Sequence, residues 1–239
     1  MIEIKDMCKT FRRNKEKTLD NINLQIHSGA IVGIIGENGA GKTTLMKAMT
    51  GLLVTDQGSV IYDGILLNKK TRKNIYKKTS IVLDGGRSLQ WRVSVTDNFK
   101  YFSYLKDVPD AKINKNIELY SKYFKIEDLL NKRVNELSLG QKQIVAIICT
   151  LISDCRYLYL DEPTNGLDLE VKSLLIGELK KIKKDFGTTI IITSHDLEFL
   201  LSTADSCIVM DKGKFIKEVN LEEENFQSSY FYYKEAFFS

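Results

Sequence analysis

Proline is nearly absent from this chain: among 239 residues only Pro109 and Pro163 occur. No Gly/Ser linker and no internal repeat divides the sequence. Its length therefore points to one large domain, or to a domain with a small insertion. Histidine is as scarce, at His27 and His195. The four cysteines, Cys8, Cys149, Cys155 and Cys207, show no C-x-x-C pairing. That argues against a Cys/His metal cage and predicts free, buried thiols in a reducing compartment. No apolar run approaches the ~18 residues of a membrane span; "IVAIICTLI" at 144–152 fits a core segment instead. The opening "MIEIKDMCKT" is charged from residue 3, unlike a secretory signal. The chain is expected to be soluble by itself, with any membrane role coming through a partner. A net charge of +4, spread without a dense basic block, gives no argument for nucleic acid.

Hydrophobic residues make up 43% of the chain, enough for a sizeable core. Short β-type runs open it: "IEIKDM", "INLQI" and "AIVGIIG". The third ends in a glycine loop and feeds a helix over residues 42–49, stopped by Gly51. "SVIYDG" and "TSIVL" read as further strands. From about residue 97 to 130 the pattern turns helical, with Ile113, Ile117, Tyr120 and Phe124 on one face. Another helix follows "LSLG" and runs to residue 152. Beyond it, the buried strands "YLYL" and "TTIIITSH" alternate with helices, and "SCIVMDKGKFIKEV" predicts a hairpin turning at Lys212-Gly213. The expectation is an α/β fold of the P-loop NTPase type: a mostly parallel central sheet, an N-terminal antiparallel β region, and an inserted helical subdomain. Residues 1–218 form the nucleotide-binding domain, with the helical subdomain at about 95–153. The aromatic-rich tail, 219–239, is expected to be helical and packed on the core, or to dock a partner.

"GENGAGKT" fits G-x-x-x-x-G-K-[ST] at every fixed position. Gly36, Gly39 and Gly41 let the backbone curl so that its N–H groups face an anion, and the following helix adds its positive end. The ATP-binding loop is read as Gly36, Glu37, Asn38, Gly39, Ala40, Gly41, Lys42, Thr43 and Thr44. Lys42 reaches the outer phosphates, Thr43 offers its hydroxyl to Mg²⁺, and Thr44 contacts the α-phosphate. "RYLYLDE" delivers Asp161 and Glu162 to one end of the sheet, where ligands of such sheets bind. Asp161 is placed to hold Mg²⁺, through water, and Glu162 to polarise the attacking water. His195 ends the next apolar strand at the same level and can hydrogen-bond a γ-phosphate. His27 has no such context.

"LSLGQ" raises a separate question. Ser138 and Gln141 form an S-x-x-Q capping box, which by itself explains their presence. A helix N-terminus beside Gly140 is also an anion site. With Asp161, Glu162 and His195 flanking the glycine loop, that second site is open to another copy of the protein.

The motifs "GENGAGKTT", "LSLGQ", "LYLDEPT", "NGLD" and "TSHD" stand in the order of the ATP-binding cassette of ABC transporters, which the chain resembles over nearly its whole length. The resemblance implies an ATPase subunit that uses ATP and Mg²⁺ to power a transporter. It implies two cassettes packed head to tail, as a homodimer or a heterodimer. Ser138, Leu139, Gly140 and Gln141 of one would face the γ-phosphate held by the other. Asp168 would sit at the contact between cassettes, and Phe11 would stack on adenine. Transmembrane permease subunits would hold the protein at the cytoplasmic face of the cell membrane.

Two departures from the family pattern stand out. "LDGGRSLQWR" at 83–92 lacks the glutamine that meets Mg²⁺; Asp84 or Gly85 aligns there, and Asp84 is taken as the metal candidate. Such variant loops lean toward export. Ile144 replaces the usual basic residue after the signature. The alternatives are a soluble cassette acting on ribosomes or DNA, and a regulatory nucleotide-binding module. The first usually has two cassettes or a long coiled coil in one chain. The second is disfavoured by Glu162 and His195.

Overall fold

The computed structural model describes residues 1–11, 16–83 and 88–221. The chain opens with β1 (Ile2–Lys9), β2 (Leu19–Ile26), β3 (Ile31–Ile35), α1 (Lys42–Met49), β4 (Gln57–Tyr62) and β5 (Ile65–Leu66). Next come α2 (Arg72–Lys78), β6 (Thr79–Val82), α3 (Val95–Tyr104), α4 (Asp110–Tyr123) and α5 (Leu139–Ile152). The remainder is β7 (Tyr157–Asp161), α6 (Leu169–Phe186), β8 (Thr189–Thr193), α7 (Leu197–Thr203), β9 (Ser206–Asp211) and β10 (Lys214–Asn220).

These strands make two sheets. The larger has six strands in the order β10-β9-β3-β8-β7-β6, parallel except for β10. The smaller is antiparallel, in the order β2-β1-β4-β5. β3, β7 and β8 are buried at every residue. They read as continuous apolar runs because both faces of the parallel sheet are covered. Alternate residues serve different cores. Ile31, Ile35, Leu158, Leu160, Ile190 and Ile192 pack toward Phe99, Ile117, Ile148, Leu175 and Phe199 of the helices. Val32, Ile34, Tyr157, Tyr159 and Ile191 pack toward Leu45 and Met49 of α1 and Ile4, Leu24 and Val60 of the antiparallel sheet. Each such side chain contributes about 1.5–3 kcal/mol when fully buried, so both layers hold the central strands firmly.

The helical stretch begins two residues before the expected residue 97. α3 begins at Val95, where Ser94 Oγ accepts from the Asp97 N–H at 3.0 Å. On α4, Ile113, Ile117, Tyr120 and the following Phe124 are all buried. The Lys212-Gly213 turn has φ of 42° and 78°, the left-handed pair that a tight hairpin requires. All four cysteines are free and buried. Among the described residues no helix is long and apolar enough to cross a membrane.

Two elements had no reading in the sequence. α2, "RKNIYKK", buries only Ile75 and shows no period. β5 has just two residues, both exposed. One boundary is corrected: β10 continues to Asn220, so residues 219–220 are strand, not the start of a helical tail. Residues 222–239 lie outside the described residues.

Candidate functional site

Three central strands end at one level. Asp161 pairs in register with Thr193, and Ile34 with the same Thr193. The loop after β3, the acidic pair at the end of β7 and the turn after β8 therefore meet.

The loop at residues 36–44 is fixed by close backbone contacts. A Cβ on Gly36 would lie 2.4 Å from the Met210 carbonyl oxygen. Gly41 has φ of 99°, and a Cβ there would come within 2.6 Å of the Thr18 carbonyl oxygen. The hairpin turn braces the other side, with Gly213 N–H donating to Ala40 O at 3.0 Å. Glu37, Asn38 and Gly39 are exposed, Ala40 is buried, and Thr43 and Thr44 are half-buried. No side chain caps the start of α1. Its first-turn N–H groups lack intrahelical acceptors and create an anion-binding end.

Lys42 is only 7% exposed. Its ammonium donates to the carbonyls of Gly36 at 2.7 Å and Glu37 at 3.1 Å, with Glu162 Oε1 at 4.0 Å. Thr43 Oγ1 lies 2.9 Å from both carboxylate oxygens of Asp161. Thr193 Oγ1 donates to Asp161 Oδ1 at 2.6 Å. Thr193 escaped the sequence reading. The signal was there, a hydroxyl closing the apolar run "TIIIT", but such a threonine reads equally well as a strand residue. The Asp161 carboxylate and Thr43 hydroxyl form a hard-oxygen donor set that suits Mg²⁺.

Glu162 leaves the sheet with φ of 48°, an uncommon conformation for a non-glycine residue. Such backbone costs about 1–3 kcal/mol and persists only where surrounding contacts impose it. Here its N–H donates to Thr193 O at 3.0 Å and lies 3.2 Å from Thr193 Oγ1. Its carboxylate oxygen Oε2 accepts from the His195 N–H at 3.2 Å and faces His195 Nδ1 at 2.8 Å. The Glu162 side chain is 15% exposed and the His195 imidazole 61%. A shielded carboxylate paired with an accessible imidazole is an arrangement suited to activating water and contacting an oxyanion.

The structure brings Lys42, Thr43, Asp161, Glu162 and His195 together. The signature stretch stands apart from them: among the described residues no hydrogen bond joins the two groups. Ser138 caps α5, its Oγ accepting from Gln141 N–H at 3.2 Å, while Gln141 Oε1 accepts from Ser138 N–H at 3.0 Å. Leu139 is 52% exposed. An added Cβ on Gly140 would meet Leu167 at 3.3 Å, so the stretch packs on the turn leading to Asp168. Asp168 itself caps α6, accepting from Val171 N–H at 2.8 Å. Phe11 is 38% exposed, and Lys9 Nζ sits 5.8 Å from its ring centre. Thr18, whose N–H donates to Lys9 O, touches Gly41 and so brings this connection to the loop. Asp84 lies outside the described residues.

Residues 19–165 match the family described as ABC transporter. This chain belongs to the ABC transporter family. The ABC transporter ATP-binding protein NatA of Bacillus subtilis (strain 168) is 33% identical over 224 residues, 93% of this chain and 90% of that protein. The spermidine/putrescine import ATP-binding protein PotA of Borreliella afzelii (strain PKo) is also 33% identical, over 94% of this chain but only 63% of its own length. Among solved structures, cbiO1 from Clostridium perfringens, part of the ABC transporter complex cbiONQ, has a TM-score of 0.84 at 29% identity, covering 93% of this chain and 89% of that one. The dimeric cassette MJ0796, in a post-hydrolysis state with ADP and Pi, has a TM-score of 0.83 at 26% identity, covering 92% and 99%. This ABC protein is thus an ATPase, the ATP-binding subunit of a transporter. PotA is named for import, so the export expected from the variant loop finds no support in it.

Proposed function

We propose that this ABC ATPase hydrolyses ATP between two head-to-tail cassettes and so drives permease subunits in the membrane. The observation that carries this reading is the meeting of Lys42, Thr43, Asp161, Glu162 and His195, with the capped signature turn left outside the group. In this reading Lys42 and the loop N–H groups bind the phosphates. Thr43 and Asp161 would hold Mg²⁺, which would supply charge neutralisation at the outer phosphates. Glu162 positions and deprotonates the water, and His195 contacts the γ-phosphate. Phe11 stacks on adenine. Residues 1–220 act as the cassette, the last strand closing at Asn220, with 95–153 as its helical subdomain. The protein lies on the cytoplasmic face through its permease.

Ser138, Leu139, Gly140 and Gln141 act on the partner's nucleotide, with Asp168 at the contact. The capping box occupies the N–H groups of Ser138 and Gln141. Those of Leu139 and Gly140, in the first turn, have no intrahelical acceptor and remain for an anion.

Mixing two disabled proteins tests the arrangement. Ser138→Arg places a bulky cation at the signature, and Lys42→Ala disables the loop of its own chain. Each alone should be inactive. In a mixed dimer one site joins an intact Lys42 to an intact Ser138, so part of the ATPase activity should return. Measured subunit exchange without any recovery would overturn the trans assignment and leave Ser138 as a helix cap.

A further inference from the structure

The residue after His195 is tied to a different part of the molecule. Asp196 caps α7, its Oδ1 accepting from Phe199 N–H at 2.9 Å, and its own N–H donates to Ser194 Oγ at 3.0 Å. Its other oxygen, Oδ2, accepts from Lys172 Nζ at 2.5 Å. Lys172 stands in the first turns of α6, where its N–H donates to the Asp168 carbonyl at 3.0 Å. Backbone bonds from Asn165 N–H to Glu162 O, at 3.3 Å, and from Leu167 N–H to Thr164 O, at 3.1 Å, fold the connecting turn. A closed ring results: Glu162 to His195, on to Asp196, across to Lys172, down to Asp168 and back along the chain to Glu162.

The ion pair is half-sheltered, at 17% and 28% side-chain exposure. Burial pushes the Asp196 carboxyl up, but the Lys172 bond, the Phe199 N–H and the charges of Lys172 and His195 together hold it below the usual carboxylate range. Partly exposed pairs of this kind add little to stability. The consequence of this one is geometric, because it bridges the two turns that carry Glu162 and His195.

We infer that Lys172 is a positioning residue for ATP hydrolysis: through Asp196 it fixes the backbone bearing His195 and ties it to the turn ending in Asp168. Lys172 itself touches no reacting atom. A displacement of Asp168 moves α6, and Lys172 carries that displacement to His195. The contact expected between cassettes is thereby coupled to the geometry of hydrolysis. The inference rests on the roles proposed above for His195 and Glu162.

Four variants test it, with His195→Ala as the reference. Lys172→Met keeps the side-chain stem without the charge. Asp196→Ser keeps a helix cap without the ion pair. Each should lower kcat by roughly 10-fold, up to the ~10²-fold that small misplacements near a reacting centre produce. KM and Kd for ATP should stay at wild-type values, because the phosphate loop is untouched. The double variant should lose no more than either single one, the signature of one shared interaction. Lys172→Arg should recover most of the rate. Circular dichroism and thermal unfolding verify that each protein folds. A wild-type kcat in Lys172→Met, with His195→Ala inactive, overturns the inference and leaves the site reading standing. Additive losses in the double variant overturn it too. A fully active His195→Ala would instead overturn the site reading, and this inference with it.

Discussion

Two helices of this protein begin beside a glycine and a hydroxyl residue, yet they begin differently. α1 follows Gly41 in the left-handed region and has no side-chain cap. α5 follows Ser138 in extended backbone and has a complete capping box. Lys42 of α1 is buried and bound to carbonyls of its own loop. Lys142, in the first turn of α5, points elsewhere, 5.3 Å over the ring of Trp91. Thus α1 leaves its N-terminal donors to a ligand and supplies a cation beside them. α5 satisfies half of its donors internally and supplies no cation to the site. In the reading proposed above, the first binds phosphate by itself, while the second holds its shape without a ligand and adds a completing contact from the other chain.

The contrast can be broken most forcefully at the chemistry. Glu162→Gln should slow ATP turnover by roughly 10²–10⁴-fold, the usual contribution of a positioned base, while ATP still binds. Unchanged phosphate release would remove Glu162 from the catalytic role. A smaller effect is expected from Lys42→Ala, read as equilibrium affinity. Losing a charge-assisted hydrogen bond costs about 1.5–3 kcal/mol, or roughly 10–100-fold in Kd. Wild-type ATP affinity in that variant would make the two helix starts equivalent. The smallest effect sharpens the comparison at α5. Ser138→Ala should lower unfolding stability by about 1 kcal/mol, the typical worth of an N-cap, in urea denaturation without nucleotide. A cap that adds nothing to stability would mean that Ser138 is retained for the ligand alone.

How far the sequence reached differs between these two regions as well. The glycine loop proposed to bind phosphate stands out in the sequence because its pattern is local: glycines, a lysine and a hydroxyl within nine residues. The capping box was legible for the same reason, since Ser138 and Gln141 are three residues apart. The meeting of Asp161, Glu162 and His195 followed from buried strands expected to end at one level, which the register bears out. α2 could not be read, because a seven-residue helix with one buried side chain leaves no periodic trace. Thr193 could not be ranked above other strand threonines. Its importance comes from contacts with Asp161, 32 residues away, and with the Glu162 backbone.

Local pattern by itself therefore determined the α/β class, the glycine loop between β3 and α1, the helices between β6 and β7 and the order of the motifs. Each depends on spacings of a few residues, where backbone geometry leaves few choices. Only the tertiary structure decided the rest. It set Glu162 in a left-handed conformation against Thr193 and His195, and it turned Lys42 back onto its own loop. It also placed Lys172 against Asp196 across 24 residues of chain. These are pairings between side chains on separate elements. They depend on which faces of the sheet and helices come to share a boundary, and burial of the two apolar layers settles that for the molecule as a whole.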